Sequence, residues 1–484
     1  MSGKKKNIDM YLGEIFKEFI TLKDKDLKKS QEVFNSVFDQ VKLKMHEQCN
    51  FFSKYAKQVL YAGSVYDGIK VSKLDEFDMN IVIRLPINYD DGEDGIVIEN
   101  SQPGFVKLKI GRAFDNLDKQ KEWENCHKVT RDWRDSNKYL LQNKFRQWLH
   151  SIIQKALNAI NNEVTVNGVK YVLNYKASGP AYTLSIKNID EGFNLDVDLV
   201  PVIRFMLPRW PIGYRNINDD KAKEWLVVPK PNKALDSKEQ NQCWRLSFQE
   251  QERKVMKNLK QLKISIRLVK KLRDVLGMKG IASYYIKTLF LWKIQKINDD
   301  KYWESNVGVI FKDMIQEFYT AVDKKNIPYF WNENNNLIGA IKPTVLKVYA
   351  DKLNDVLKSI NDNDVEKIPE YLLTAEELKT FKSSEFYIRL QTIPVSRLMS
   401  VESSSDSQNS QLSKSSQNCS PSKDNDMSGV IDNLMDKIDL LTKKVNNQER
   451  RIKALEMTIK KEDISGNFLT TYINEDTQDV LVFH

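Results

Sequence analysis

Apolar positions along the first sixty residues recur at helical spacing: Met10, Ile15, Phe16 and Phe19, then Val33, Phe34, Val37, Phe38 and Val41. This pattern predicts long amphipathic helices from about residue 8 to 60. The texture then changes to apolar runs broken by turn residues, predicting strands at Asp78 to Leu85, Gly104 to Ile110, Val169 to Tyr175, Tyr182 to Ile186 and Phe193 to Phe205, with a helix from about Asn137 to Ile160 among them. Strands and helices without a regular βαβ rhythm indicate an α+β domain, not a doubly wound sheet. From Glu239 to Met399 the pattern is almost entirely helical, and Val255, Leu259, Leu262, Ile266, Val269 and Leu272 mark one long helix. The expected division is a mixed core over 1–238 and a helical lobe over 239–399.

Residues 400–427 are rich in Ser, Asn, Gln and Asp, too polar to offset the entropy of ordering, and predict a disordered linker. Beyond it, within 428–462, Ile431, Leu434, Ile438, Leu441, Val445, Gln448, Ile452, Leu455 and Ile459 are spaced alternately three and four. Ile or Val at every a position with Leu at most d positions favours a parallel two-stranded coiled coil. Lys444 facing Glu449 and Arg451 facing Glu456 across the seam agree with a homodimer, the alternative being one amphipathic helix folded back on the body. The tail, 463–484, carries no interpretable signal.

With 484 residues and 41% hydrophobic content the chain can bury sizeable cores. Its four cysteines, at 49, 126, 243 and 419, form no CxxC pair, so neither a disulfide framework nor a zinc ribbon is expected. The N-terminal Met1-Ser2-Gly3-Lys4-Lys5-Lys6 lacks the apolar stretch of a signal peptide, and no run is long and apolar enough to span a bilayer, which points to the cytoplasm. The formal net charge of +9 matters only for its distribution. Residues 251 to 275 hold nine Lys or Arg against Glu252 and Asp274, so +7 of it lies there. On a continuous helix Arg253, Lys257, Lys260, Arg267 and Lys271 would share one broad face, either solvated or able to follow the phosphates of a duplex, with Lys23, Lys25, Lys28 and Lys29 extending it.

The chemistry-bearing segment is Gly63-Ser64, followed by Glu76-Phe77-Asp78 entering an apolar strand. Glu76 and Asp78 project from one strand face, so their carboxylates converge and suit a hard cation such as Mg²⁺. Alone, this pair reads as an acidic strand end. Gly63-Ser64 upstream adds a place where backbone N–H groups and a hydroxyl can meet a phosphate. Two-metal phosphoryl transfer needs a further carboxylate, and Asp196 or Asp198, in the apolar run Leu195 to Ile203, would supply it.

These residues resemble the cyclic GMP-AMP synthase-like receptors of the template-independent nucleotidyltransferase superfamily. The resemblance runs collinearly over about the first 395 residues. It rests on Gly63-Ser64, Glu76-Phe77-Asp78, Ser178-Gly179-Pro180-Ala181, Val197-Asp198-Leu199-Val200-Pro201, Trp225 to Lys230, Trp244 to Phe248 and Ser283-Tyr284-Tyr285-Ile286-Lys287. It implies a bilobal α+β nucleotidyltransferase with a mixed β-sheet catalytic core and an α-helical second lobe. Glu76, Asp78 and Asp198 become the Mg²⁺ ligands, with Mn²⁺ as an alternative and Asp196 as the fallback to Asp198. Gly63 and Ser64 meet nucleotide phosphates, Arg245, Ser247 and Glu252 the bases and sugars, Lys270, Ser283 and Lys287 the triphosphate, while Tyr284 stacks on a base. The family's activity joins ATP and GTP into a cyclic dinucleotide for a STING-type receptor.

The vertebrate synthase has a Cys/His zinc insertion where Gln249 to Lys263 here contains neither residue, so no zinc is expected. In insect-type members that absence accompanies recognition of double-stranded RNA, the ligand the resemblance implies. Its binding would shift the Gly63-Ser64 loop into a phosphate-binding arrangement. A polymerase extending RNA ends and a catalytically silent scaffold are the alternative readings.

Overall fold

The computed structural model describes residues 7–71, 73–119, 121, 130–178, 181–217, 223–232, 235–392, 470–473 and 480–483. The expected linker and coiled coil lie outside these residues. The chain separates into two units, Met1–Ser403 and Ser404–His484.

The amphipathic periodicity near the N-terminus becomes helices Ile8–Ile15 and Asp24–Gln48, the second burying Val33, Phe34, Val37, Phe38, Val41 and Met45 along one stripe. The helical reading fails at its end. Helix Asn50–Tyr55 stops and strand β1, Ala56–Ala62, begins. β1 pairs antiparallel with β2, Glu76–Ile83. Ala-Lys-Gln-Val-Leu-Tyr-Ala has little alternation of its own, and the partner strand decides its conformation. Leu60 then packs with Val82, Val202 and Leu226 in a small apolar cluster separate from the main core.

The remaining strands of the large sheet are β3 Ile96–Asn100, β4 Phe105–Ile110, β5 Glu163–Val166, β6 Val169–Ser178, β7 Ala181–Asn188, β8 Phe193–Met206, β9 Glu224–Val228 and β10 Cys243–Ser247. Their order is β3-β4-β10-β9-β8-β7-β6-β5, with β2 joined to β8 and β1 to β2. All these pairings are antiparallel except β2 with β8, which is parallel. The fourteen-residue β8 is the spine, pairing β2 and β7 along Asp196 to Leu199 and β9 from Ile203 onward. β10 corrects the reading of everything after Glu239 as helical, because Trp244 to Ser247 fill the sheet between β4 and β9. Such an insertion depends on contacts distant in sequence, which local periodicity does not carry.

The helical lobe is built from helices Gln249–Val255, Leu262–Val275, Ser283–Ile297, Val307–Asp323 and Pro343–Asn361. The one long helix expected through Leu272 is two, interrupted between Met256 and Gln261 where Asn258 takes a left-handed φ of 65°. No helix among the described residues is long and apolar enough to cross a membrane. In the second unit an antiparallel pair, β13 Thr470–Ile473 with β14 Val480–Phe483, follows a two-stranded pair in the helical lobe, β11 Pro328–Tyr329 with β12 Asn332–Asn336. This corrects the reading of the tail as without signal, since Thr-Thr-Tyr-Ile and Val-Leu-Val-Phe are rich in β-branched and aromatic residues that favour strands.

Candidate active site

The parallel register sets Glu76 beside Asp196 and Asp78 beside Asp198. Residues paired across neighbouring strands project to the same face, so two acidic pairs meet on one patch of sheet. Glu76, Asp78 and Asp198 each bring an oxygen within 4.8 Å of the others. Thr183 Oγ1 donates to Asp198 and Ser185 Oγ to Asp196, aiming the two β8 carboxylates from the adjoining strand β7. The sequence reading passed over Thr183 and Ser185. Their alternation in Tyr182-Thr183-Leu184-Ser185-Ile186, opposite Asp196-Val197-Asp198, was the available signal.

Gly63 closes the site from above. Its φ is +73°, and a Cβ there would stand 1.6 Å from Asp78 Oδ2. Only glycine allows the backbone so near the carboxylates while holding a left-handed conformation. It opens the short helical turn Gly63–Tyr66, which carries the half-buried Ser64. β1 delivers this turn, because Ala62 pairs with Asp78.

Burial, then the neighbouring Glu76 and Asp198, pushes Asp78 up to about 6. Three hard oxygen donors with one carboxyl held against ionisation fit a divalent cation, which would offset the repulsion. Lys70 is the nearby cation, 2.9 Å from Asp75 and 3.8 Å from Glu76. Because the folded value for Asp78 lies above its ordinary 3.8, the folded chain binds the extra proton between the two values. Asp78 therefore withdraws stability as pH rises from about 4 through about 6. In chelator at pH 7, Asp78→Asn is expected to unfold at higher denaturant, by up to about 3 kcal/mol. Added divalent cation should reverse that order, and a variant less stable than the parent in chelator would contradict the account.

The other expected site residues separate into groups. Arg245 and Ser247 are half-buried on β10, with Arg245 near enough to Tyr284 and Tyr329 to oppose the rise in both hydroxyls that burial causes. Ser283 is half-buried and accepts from Arg273 at 3.1 Å. Tyr284 donates to Glu252 at 2.6 Å. Glu252 is 4% exposed and also receives Trp331 Nε1 at 3.0 Å and Lys287 at 2.7 Å. Lys287 is equally buried. Burial opposes its charge, but Glu252 and Asp67 outweigh this and hold it above the usual lysine range. Lys270 is buried with its Nζ 2.7 Å from the Ile69 carbonyl, and burial lowers it to about 8.

The expected basic face is not one face. Lys257 and Lys260 are exposed, Lys260 pairing with Glu304 at 3.0 Å, and Lys23 and Lys28 are exposed at helix Asp24–Gln48. Arg253, Arg267 and Lys271 turn inward instead. Arg253 meets Asp67 at 2.9 Å, Arg267 the Gly68 carbonyl at 2.7 Å, and Lys271 Glu377 at 2.6 Å. The physical reason is that Lys257 and Lys260 lie in the break between the two helices, whereas Arg253, Arg267 and Lys271 lie on the helices and meet acceptors on neighbouring segments.

Residues 65–258 match the Mab-21 protein nucleotidyltransferase domain and residues 251–355 the Mab-21 protein HhH/H2TH-like domain. A cyclic GMP-AMP synthase-like receptor of Trichogramma pretiosum is 34% identical, the match covering 78% of each chain. Those of Ctenocephalides felis and Tribolium castaneum are 33% and 34% identical, over 78% and 77% of this chain and 90% and 94% of theirs. With the fold, the acidic triad and these matches in agreement, the chain belongs to the cyclic GMP-AMP synthase-like receptors, a family of nucleotidyltransferases.

Proposed function

We propose that this protein is a metal-dependent cyclic GMP-AMP synthase of the cytoplasm, active in innate immune sensing. On binding double-stranded RNA it would join ATP and GTP into a cyclic dinucleotide for a STING-type receptor. The observation that carries the reading is the convergence of Glu76, Asp78 and Asp198 beneath a Gly63-Ser64 turn that leaves no room for a Cβ. Magnesium, or manganese in its place, would be held by these carboxylates and would supply charge stabilisation for the attacking hydroxyl and the leaving pyrophosphate.

The chain's own residues do the positioning. Gly63 brings the backbone against the acidic patch, and Ser64 offers a hydroxyl to a phosphate oxygen. Thr183 fixes the orientation of Asp198. Arg245, Ser247, Ser283 and Tyr284 line the nucleotide path as base, sugar and phosphate contacts. Glu252, Lys270 and Lys287, expected from the resemblance to touch nucleotides, are buried against protein groups and serve as its supporting wall. Of the exposed basic residues, Lys23, Lys25, Lys28, Lys257 and Lys260 are assigned to an RNA duplex, which proteins grip mainly through phosphate and 2′-hydroxyl contacts.

The heptads are proposed to make a homodimer, so that two catalytic units engage one long duplex. Full-length protein is expected to sediment as a dimer and a chain ending at Met399 as a monomer, and equal states for both would remove the coiled coil from the account. The catalytic reading is tested by giving purified protein ATP, GTP and Mg²⁺ with and without long double-stranded RNA. A cyclic dinucleotide that depends on the RNA is the expected product.

A further inference from the structure

The segment from Tyr61 to Ile69, which contains the Gly63-Ser64 turn, has one carboxylate, Asp67. Four cations from three helices of the helical lobe converge on it. Arg253 Nε donates to Asp67 Oδ1 at 2.9 Å, while its Nη2 donates to the Tyr61 carbonyl at 3.0 Å. Its guanidinium also lies 4.2 Å from the centre of the Tyr66 ring. Lys287 donates to Asp67 Oδ2 at 2.6 Å. Arg267 donates twice to the Gly68 carbonyl, at 2.9 and 2.7 Å, and Lys270 donates to the Ile69 carbonyl at 2.7 Å. The turn is thus held before Gly63, at Asp67 and at both residues after it.

One cation would satisfy Asp67, which is 8% exposed. Arg267 and Lys270 are two further cations brought into the interior, and their partners on this segment are neutral carbonyls, which repay less of the cost of burying a charge than a carboxylate would. Burial accordingly lowers both Arg267 and Lys270 from their ordinary values. Arginine contributes what a lysine at its place would not, a planar fork that reaches a carboxylate and a carbonyl together. The arrangement ties the position of Ser64 to helices Gln249–Val255, Leu262–Val275 and Ser283–Ile297, the first two of which flank Lys257 and Lys260.

We infer that Asp67, Arg253, Arg267, Lys270 and Lys287 form a clamp that sets the phosphate-binding turn, with Asp67 and Arg253 as positioning residues for nucleotide phosphates rather than contacts to RNA. The part concerning phosphates rests on the nucleotidyltransferase reading above.

The test uses the full chain with Asp67→Asn, Arg253→Met and, should the first fold poorly, Arg267→Met. Lys293→Met, six residues along the helix from Lys287, breaks ion pairs of the buried Lys293 with the half-buried Glu317 and the more exposed Asp313, and is the comparison for lost stability. Lys257→Glu with Lys260→Glu serves as the duplex-surface comparison. Three quantities are read: amide hydrogen exchange of 64–69, binding of a non-hydrolysable ATP analogue with Mg²⁺, and binding of long double-stranded RNA. In the clamp variants exchange should rise and analogue affinity fall, each by about tenfold, with RNA affinity changed by less than about twofold. Lys293→Met should leave the exchange of 64–69 and analogue affinity as they are, and the double lysine variant should lose RNA alone. Unchanged exchange in all clamp variants would overturn the inference. So would RNA affinity lost in Arg253→Met with the turn undisturbed, which would return Arg253 to the duplex surface. If the unaltered chain binds no ATP analogue, the nucleotide reading fails, while the exchange measurement still decides whether the clamp holds the turn.

Discussion

Exchanging Glu76 and Asp78 together for alanine is expected to lower cyclic dinucleotide synthesis by on the order of 10³-fold or more, with the fold intact. The size of the effect follows from the chemistry. Phosphoryl transfer asks little covalent work of a protein, so almost all of the acceleration comes from fixed charge around the reacting phosphate. These two carboxylates are two of the three groups that would fix it, and the third, Asp198, cannot replace them from the neighbouring strand. The structural consequence runs the other way. Asp78 is held against ionisation by burial, then by Glu76 and Asp198, so its removal relieves repulsion in the absence of cation. The variant should therefore melt at or above the parent's temperature in chelator and gain nothing from added Mg²⁺. Loss of activity together with loss of fold would leave the triad's catalytic role unsupported, and retained activity would refute it.

Gly63→Ala is expected to be nearly as damaging, by about 10²-fold or more. Two costs add here. A residue with a Cβ at a φ of +73° pays roughly 1 kcal/mol of backbone strain. The added methyl would also stand 1.6 Å from Asp78 Oδ2 and 2.5 Å from Asp78 Cγ, so either the turn or the carboxylate must move. Movement of either separates the Gly63-Ser64 turn from the acidic patch. Gly68→Ala provides the comparison, since its φ is +70° but a Cβ would meet the flexible Lys263 side chain at 3.2 Å. Steady-state kinetics and thermal melting of both variants separate the terms. Similar losses of stability with a much larger loss of activity for Gly63→Ala is the expected result, and equal losses of activity would assign the effect to strain alone.

The acidic patch was readable because its signal is short-range. Glu76-Phe77-Asp78 places two carboxylates on one strand face by the period of two, whatever the rest of the chain does. Asp196-Val197-Asp198 does the same, although which of its two aspartates joins the cluster depends on the register of β8 against β2 and on Ser185 and Thr183 across β7. The helix Asp24–Gln48 was readable for the same reason, its apolar stripe being continuous. Strand β1 and strand β10 were not, since each is made a strand by the partner it meets. The basic residues from 251 to 275 show the limit most plainly. Charge composition says how many cations a segment carries, but not whether they face water, a partner or the protein's own carbonyls. Arg253, Arg267, Lys270 and Lys271 face the protein, and no periodicity in their own segment indicates that Tyr61, Asp67, Gly68, Ile69 and Glu377 supply the acceptors.

The most direct measurement resolves the products of purified full-length protein with ATP, GTP and Mg²⁺ or Mn²⁺ by chromatography and mass spectrometry. It is run without nucleic acid, with long double-stranded RNA and with double-stranded DNA, beside the Glu76→Ala, Asp78→Ala variant. The account predicts cyclic GMP-AMP with RNA only, and none from the variant. No product under any condition, or a product that survives in the variant, would contradict it.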